Sequence, residues 1–258
     1  MMTKSQYQMV HDFNVAFGVD IYSPFYPNLI LQYPKLAQLR YQLIEEEVLE
    51  LQEAIQNNDR KEIIDALADI LYVAWGAGVS FGLSMDEEYR QYLIIMRIPY
   101  SEYDFENKTM YENTLICVPT TNISKTNGLE RLFDSLKKLK HCLHINQDET
   151  DPETDYYRNN FAKYLCRFIY QVYRFVEALD VDINRAFNIV HSSNMSKLCK
   201  TEKVAQETIQ WYKDNNTVYD SPAYRKSELG DYYVVFNEST GKILKSIEYT
   251  PANFDAML

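Results

Sequence analysis

Apolar residues recur at helical spacing over most of the first eighty residues. They predict a helix over 5–20, with Gly18 near its end, and two longer helices over 35–57 and 61–79. Residues 57–59, two asparagines and an aspartate, separate the two longer helices. Because so short a break joins them, we expect an antiparallel helical hairpin.

The helical pattern weakens between residues 85 and 154 and then returns. Helices are predicted over 128–143, 156–179 and 182–197. The helix over 156–179 is strongly aromatic, and an aromatic stripe at this spacing is typical of a core or an interface. These helices extend the predicted bundle into the second half of the chain.

Three segments are predicted to be non-helical. Residues 23–34 contain three prolines and are expected to be an extended connector. Residues 146–153 are expected to form a solvated acidic loop. Residues 231–249 change to a β pattern, with a hairpin turn at Thr240 and Gly241. The prediction is a mainly α fold with a helical-bundle core, a large helical insert and a small C-terminal β hairpin.

Composition limits the partners and the compartment. The chain has 26 Lys and Arg against 37 Asp and Glu, a net charge of -11. Such a surface repels nucleic acid and anionic membranes, so a phosphate substrate would need a cation as mediator. The four cysteines lack metal-site spacing and are expected to be free thiols in a reducing compartment. The longest uncharged stretch, 70–85, is short for a membrane span. We expect a soluble, cytoplasmic protein.

Acidic residues occupy unusual positions in the helix over 35–57. At about 100° per residue, Glu47 falls inside the apolar arc that contains Ile44, Val48 and Leu51. Glu50 lies at the edge of that arc. An unpaired charge on a packed face is costly, so packing alone does not explain Glu47.

The next helix repeats this feature. Glu62, Asp65 and Asp69 share one helix face, and Asp is a poor residue for a helix interior. If the two helices pair, their carboxylates face one another and repel unless a divalent cation lies between them. Oxygen ligands suit Mg²⁺, with Mn²⁺ as a second choice. The alternative interpretation is a solvated acidic face.

The two acidic motifs together resemble a known family. Glu46-Glu47-x-x-Glu50-Leu51 followed by EIIDALADILYV at 62–73 is similar to the MazG-like all-α nucleoside triphosphate pyrophosphohydrolases. The branch that includes dUTP-hydrolysing members is the most similar. Residues 9–18, the SNMSK segment within 190–197 and the tail near 240–251 extend the resemblance.

A long insert departs from the pattern of that family. It divides the chain into 1–83, the first part of the catalytic core, 84–180, the insert, and 181–258, the second part. The resemblance implies a homodimer or a higher homo-oligomer, and the sequence leaves open whether the insert replaces a second subunit.

The resemblance implies hydrolysis of a nucleoside triphosphate to a monophosphate and pyrophosphate, with dUTP or dCTP favoured. Glu46 is assigned as the general base, because it neighbours the ligands but points away from them. The assigned metal ligands are Glu47, Glu50, Glu62 and Asp65, with Asp69 as a fifth ligand or an outer partner. The assigned substrate-binding residues are Asn194, Lys197, Tyr72 and Lys242.

Alternatives remain for several of these residues. Asn194 and Lys197 could instead form a polar helix terminus, Tyr72 could pack in the core, and Lys242 could lie on a solvated hairpin edge. His191 is expected on a helix surface. A non-catalytic helical module that binds nucleotides or partners through the insert is the alternative function.

Overall fold

The computed structural model describes residues 4–96, 125–143, 152–215 and 218–258. Within these ranges the chain forms ten α-helices and one two-stranded sheet. The elements are α1 Gln6–Ala16, α2 Leu29–Gln32, α3 Pro34–Gln56, α4 Arg60–Ser80, α5 Met85–Ile95, α6 Lys125–Leu143, α7 Pro152–Asn159, α8 Phe161–Ala178, α9 Ile183–Met195, α10 Glu202–Asp214, β1 Pro222–Lys226 and β2 Tyr233–Asn237. The predicted mainly α fold is confirmed.

The predicted helical hairpin is formed by α3 and α4, which pack against each other. Asn58 makes the turn in the left-handed region, at φ 52°. Asp59 then caps α4, because its carboxylate accepts hydrogen bonds from the backbone N–H groups of Lys61 and Glu62. A three-residue turn returns the chain antiparallel along α3, so the acidic faces of both helices meet.

Helix α4 is the centre of the bundle and contacts α1, α3, α8 and α9. Among the described residues it is the one helix long and apolar enough to cross a bilayer, but 83% of its apolar window is buried inside the protein. Leu67, Leu71 and Trp75 have no exposed surface. Its apolar character therefore belongs to the protein core.

The described helices of the insert join the same core. Helix α6 packs on α3 and α8, and α8 packs on α4 and α5. Phe161, Phe168 and Phe175 of α8 are fully buried, so the aromatic stripe is core. The predicted acidic loop lies mostly outside the described residues, and α7 begins at its last two positions.

The C-terminal sheet pairs β2 with a strand that the pattern did not predict. Strands β1 and β2 are antiparallel, from Pro222 opposite Asn237 to Lys226 opposite Tyr233. The predicted turn at Thr240 and Gly241 does return the chain along β2, through an antiparallel bridge between Phe236 and Ile243 and backbone hydrogen bonds from Asn237 to Lys242 and from Leu244 to Val235. The prediction missed β1, because this strand is polar and lacks apolar alternation.

Helices α2, α5 and α10 also lie outside the predicted set. Helix α2 occupies part of the connector that three prolines marked as extended. Helix α10 packs on both strands, and Tyr212 with Val235 and Leu244 belongs to a second, smaller core. Three of the four cysteines, Cys142, Cys166 and Cys199, lie within the described residues. All three are buried free thiols, as the sequence predicted.

Candidate active site

The acidic residues of the hairpin differ in exposure along the facing surfaces of α3 and α4. On α3, Glu47 is half-buried, whereas Glu46 and Glu50 are exposed. On α4, Asp65 and Asp69 are half-buried, and Glu62, near the start of the helix, is exposed. The sequence-based argument that Glu47 faces a packed surface is thus consistent with its position.

Glu47 has the most perturbed acidity of the α3 carboxyl groups. Burial raises its pKa to about 8, and the charges of Asp69, Glu50, Glu46 and Asp65 act in the same direction. Of these charges, Asp69 has the largest effect. A carboxyl group so placed is partly protonated near neutral pH when no cation is present.

Asp69 shows the same behaviour on the facing helix. Burial and the charge of Asp65 raise its pKa to about 7, and the positive charge of Lys197 opposes them. Burial also raises the pKa values of Asp65 and Glu50, with like charges on both helices adding to the effect. The carboxylates of α3 and α4 therefore act on one another as a single acidic cluster.

The helix register explains why both Asp65 and Asp69 belong to this cluster. The charge of Glu50 acts on Asp65, and the charges of both Asp65 and Asp69 act on Glu47. Asp65 and Asp69 are four residues apart, so they lie on the same face of α4, one turn from each other. Each of them therefore faces a different turn of the antiparallel helix α3. Both aspartates thus lie on the surface that faces α3.

Lys197, just beyond the end of α9, brings positive charge to the cluster. The Lys197 ammonium donates a hydrogen bond of 2.6 Å to the Asn194 side-chain oxygen. Burial lowers the pKa of Lys197, and the nearby Asp69 carboxylate raises it. The SNMSK segment, more than one hundred residues from the hairpin in sequence, is therefore next to Asp69 in the fold.

Tyr72 packs in the core beside the acidic cluster. It is 7% exposed, and its ring stacks on Phe187 at 5.4 Å between centroids. The Tyr72 hydroxyl and His191 Nδ1 form a 3.1 Å hydrogen bond. Burial raises the pKa of Tyr72, and a hydrogen bond with Asn194 opposes that effect. This packing matches the alternative that gave Tyr72 a core position.

His191 was expected on a helix surface, and on α9 it is only partly exposed. The ring is half-buried and bonded to Tyr72. Burial lowers the pKa of His191, with the charge of Asp12 acting in the opposite direction. The neutral ring is thus favoured, and it links α9 to α4 through a hydrogen bond that periodicity does not reveal.

Lys242 is not joined to the acidic cluster by any contact of the described residues. It is exposed, and its ammonium lies 5.7 Å from the centroid of the Tyr219 ring. Lys245 instead supplies the positive charge that acts on Lys197. The assignment of Lys242 to the substrate stays a prediction.

The carboxylates suit a divalent cation by their chemistry. All of them offer hard oxygen ligands, and the raised pKa values of Glu47 and Asp69 reflect like charges that a cation would compensate. As the side chains are placed, no group of three potential ligands among the described residues converges into a coordination shell. A cation would therefore require rotamer changes, for which the exposed Glu50 and Glu62 have room.

A cleft of about 370 Å³ opens next to the cluster, at the turn end of the hairpin. Glu50 and Glu62 line it together with residues that the sequence analysis did not select, namely Glu53, Ala54, Asn57 and Asp59. The acidic surface thus continues from the α3–α4 interface to the solvent.

Arg40 is a further feature that sequence reasoning missed. It lies on α3 and is only 8% exposed. Within the described residues it has no ion pair, and its fully buried Nε has no hydrogen-bond partner. The one sequence signal for the burial of Arg40 is that it shares a helix face with apolar residues of α3.

Comparison with known proteins agrees with this architecture. The family model for phosphoribosyl-ATP pyrophosphohydrolase matches residues 29–91, which contain α3, α4 and the acidic cluster. The chain is 32% identical over 256 residues to an uncharacterized protein of Acanthamoeba polyphaga mimivirus, with 98% of this chain and 96% of that protein covered. No solved structure matches the chain.

A helical hairpin with facing carboxylates, inside the matched segment, defines the class as the pyrophosphohydrolase type. The chain belongs to the MazG-like all-α nucleoside triphosphate pyrophosphohydrolase superfamily, as its motifs predicted. Membership indicates nucleotide hydrolysis of the pyrophosphohydrolase kind, and proteins of this superfamily typically use divalent metal ions.

Proposed function

We propose that this protein hydrolyses a nucleoside triphosphate, with dUTP or dCTP as the first candidates, to the monophosphate and pyrophosphate with Mg²⁺. The observation that carries the proposal is the acidic cluster of α3 and α4 with Lys197 beside it. A protein with a net charge of -11 requires such local compensation to hold a polyphosphate.

The residues that would hold Mg²⁺ are Glu47, Glu50, Glu62 and Asp65, with Asp69 as a further ligand or an outer partner. Mn²⁺ has similar ligand preferences. When bound, the divalent ion neutralises charge on the phosphate oxygens and makes the phosphorus more susceptible to attack. Because Glu47 and Asp69 have raised pKa values, ion binding near neutral pH is expected to release protons.

Glu46 is the proposed general base. It is exposed and adjacent to Glu47, so its carboxylate can accept a proton from a water without being enclosed in the cluster. The water oxygen forms a bond to the α-phosphorus, and the bond from that phosphorus to the bridging oxygen breaks. Pyrophosphate leaves with the bonding electron pair, and the monophosphate keeps the water oxygen.

Lys197 and Asn194 are proposed to act on the phosphates. Lys197 supplies a point charge, and its hydrogen bond to Asn194 restricts the position of the ammonium. A fixed donor stabilises charge that develops in the transition state better than a mobile one. Substrate and cation would therefore occupy the space between α3, α4 and the end of α9.

The oligomeric state is part of the proposal. Leu39 and Leu49, on the outer side of α3, are 47% and 50% exposed and offer apolar contact area to a second copy. The insert helices already cover other faces of the bundle within one chain. We propose a homodimer, which light scattering of the purified protein tests directly.

The alternative, a non-catalytic binding module, makes a different prediction for the acidic cluster. A module of that kind has no need for an exposed general base beside the ligands, and loss of Glu46 would leave its binding unchanged. The adjacent His11 and Asp12 could also indicate an HD-type phosphohydrolase, which uses a His-Asp pair as metal ligands. That reading has less support, because Asp12 forms an ion pair with Lys4.

The test is pyrophosphate release from a panel of ribo- and deoxynucleoside triphosphates with Mg²⁺ or Mn²⁺. Wild type is compared with Glu47→Gln and with Glu88→Gln, an exposed carboxylate of α5 that serves as the matched control. We expect turnover that Glu47→Gln abolishes and Glu88→Gln retains. Absence of turnover with every nucleotide and both metals would overturn the proposed reaction.

A further inference from the structure

The chain segment 245–250 lies along the C-terminal end of α9. The Tyr249 hydroxyl accepts a hydrogen bond of 3.1 Å from Ser193 Oγ. The Thr250 backbone N–H donates a hydrogen bond of 2.9 Å to Ser196 Oγ. Each of these serines directly precedes one of the two residues of the SNMSK segment that are proposed to act on the phosphates. The segment is therefore adjacent to the proposed phosphate site.

Lys245, the first residue of this segment, is held in place by both its backbone and its side chain. The Tyr212 hydroxyl lies 3.1 Å from the backbone nitrogen of Lys245 and 3.1 Å from its carbonyl oxygen. The Lys245 ammonium lies 4.5 Å from the centroid of the Tyr249 ring, which is within the range of a cation–π contact. Lys245 is nevertheless exposed, so its ammonium is accessible to a ligand from solvent.

Lys245 and Lys197 form a pair of neighbouring positive charges. Burial lowers the pKa of Lys197, the Asp69 carboxylate raises it, and the charge of Lys245 lowers it again. Among the described residues, neither lysine forms an ion pair with a carboxylate. Two neighbouring ammonium groups repel each other, and a ligand with more than one negative charge compensates both. A polyphosphate is such a ligand.

The two lysines lie at different distances from the acidic cluster. The charge of Lys197 acts on Asp69, and the charge of Lys245 acts on Lys197. Lys245 is not among the described residues whose charges act on Asp69. Because Coulomb interactions weaken with distance, Lys245 lies further from the carboxylates than Lys197 does. Positive charge therefore extends outward from the cluster in two steps.

A nucleoside triphosphate has its phosphates in a corresponding order. In the proposed reaction the α-phosphorus is attacked by water, so it lies near Glu46 and the carboxylates that would hold the cation. From there the β- and γ-phosphates extend past Lys197. We infer that Lys245 binds the terminal phosphate of the substrate and makes the site selective for triphosphates over diphosphates. This inference rests on the proposed function.

The chemistry of the ammonium suits a terminal phosphate. That phosphate carries roughly two negative charges near neutral pH, and a lysine ammonium offers it three hydrogen-bond donors. A charge-assisted hydrogen bond of this kind changes affinity by roughly 10- to 100-fold. A nucleoside diphosphate has no group at this position and gains nothing from Lys245. Pyrophosphate, the second product, retains the terminal phosphate and is expected to bind Lys245 as well.

The experiment compares wild type with Lys245→Met and Lys245→Gln, which remove the charge, and with Lys245→Arg, which keeps it. The control is Lys213→Met, which removes an exposed positive charge from the neighbouring helix α10. The kcat/KM values are measured with Mg²⁺ for dUTP against dUDP and for dCTP against dCDP. Inhibition of triphosphate turnover by pyrophosphate and by the monophosphate is measured separately, and the thermal midpoint of each variant reports folding.

We expect the triphosphate preference to fall roughly 10-fold or more in Lys245→Met and Lys245→Gln, and pyrophosphate inhibition to weaken by a similar factor. Monophosphate inhibition and folding should stay as in wild type, and Lys245→Arg and the control should keep the preference. An equal loss for triphosphate and diphosphate indicates a structural role through Tyr249 and overturns the assignment of Lys245 alone. An unchanged preference or unchanged pyrophosphate inhibition overturns it as well. Wild type that hydrolyses no triphosphate with Mg²⁺ or Mn²⁺ overturns the proposed function itself.

Discussion

Burial, together with the charge of Asp69 on the facing helix, raises the pKa of the Glu47 carboxyl to about 8. The pKa of Asp69 is itself raised to about 7. Two carboxyl groups that change charge near neutral pH thus lie on facing helices in the middle of the bundle. Such a pair destabilises the cation-free protein at pH values where both groups are charged. It also favours the binding of a divalent ion, because the ion compensates the two negative charges.

The stability of the cation-free protein is expected to fall as the pH rises from 5 to 8. Glu47 and Asp69 bind protons more tightly in the folded chain than in the unfolded one. Their contribution is fully present below their ordinary pKa values of 4.5 and 3.8, and it is lost as the pH passes through about 7 and 8. Urea unfolding in the presence of a chelator, at one-unit pH intervals, measures this slope. A rise in stability over that range would contradict it.

Glu47→Gln is expected to stabilise the cation-free protein at pH 8. The amide removes a half-buried negative charge from the acidic cluster, a gain of roughly 1–2 kcal/mol after solvent screening is taken into account. The same change should abolish the increase in melting temperature that Mg²⁺ gives to wild type. Thermal unfolding with and without Mg²⁺ measures both effects, and Glu88→Gln should behave like wild type.

Lys197→Met is expected to lower turnover by roughly 10²-fold, because it removes a fixed positive charge from the proposed phosphate site. Without that charge the pKa of Asp69 should rise further, because the Lys197 charge lowers this pKa whereas burial raises it. Steady-state kinetics across pH 6–9 detects both changes. Lys200→Met, at an exposed position just beyond, is the matched control. Equal loss in both variants would contradict a specific role for Lys197.

Tyr72→Phe separates packing from hydrogen bonding. The ring keeps its contact with Phe187, while the hydrogen bonds to His191 and Asn194 are lost. The expected cost is about 1 kcal/mol of unfolding free energy, with base preference unchanged. Tyr72→Ala should cost about 3–5 kcal/mol, because it opens a cavity in the core. A changed dUTP to dCTP ratio in Tyr72→Phe would contradict the core role.

Arg40→Met is expected to increase the stability of the ligand-free protein by about 1–3 kcal/mol. Methionine fills a similar volume without a buried charge, and an apolar replacement of buried ionic groups is often stabilising. Chemical denaturation of both ligand-free proteins measures the difference. A destabilised Arg40→Met variant would instead indicate a structural role.

The hairpin and its carboxylates could be predicted because their signals are local. The helical period, the break at 57–59 and the Asp59 cap are all read from neighbouring residues. Glu47 could be identified because its charge interrupts the apolar face of an amphipathic helix. The aromatic stripe of α8, which the spacing predicted to be core or interface, lies in the core.

What the sequence did not reveal depends on contacts between distant segments. An arginine on an apolar face often extends to solvent along its own aliphatic stem, so burial of Arg40 is a property of the packed bundle. The pairing of His191 with Tyr72 joins residues 119 positions apart. Strand β1 has a polar composition, and its pairing is fixed by β2 and α10 rather than by its own pattern.

The central position of α4 has a consequence for how the chain reaches this structure. Its neighbours α1 and α3 precede the insert, α8 belongs to the insert and α9 follows it, so the helix is enclosed only by segments from both halves of the polypeptide. Contacts of such long sequence separation slow folding, because long loops must close before the contacts form. During synthesis, α4 therefore cannot be fully buried until α9 has been made and has packed against it. The docking of α9 also brings Lys197 next to the carboxylates of α3 and α4. Completion of the core and assembly of the proposed active site are therefore one step.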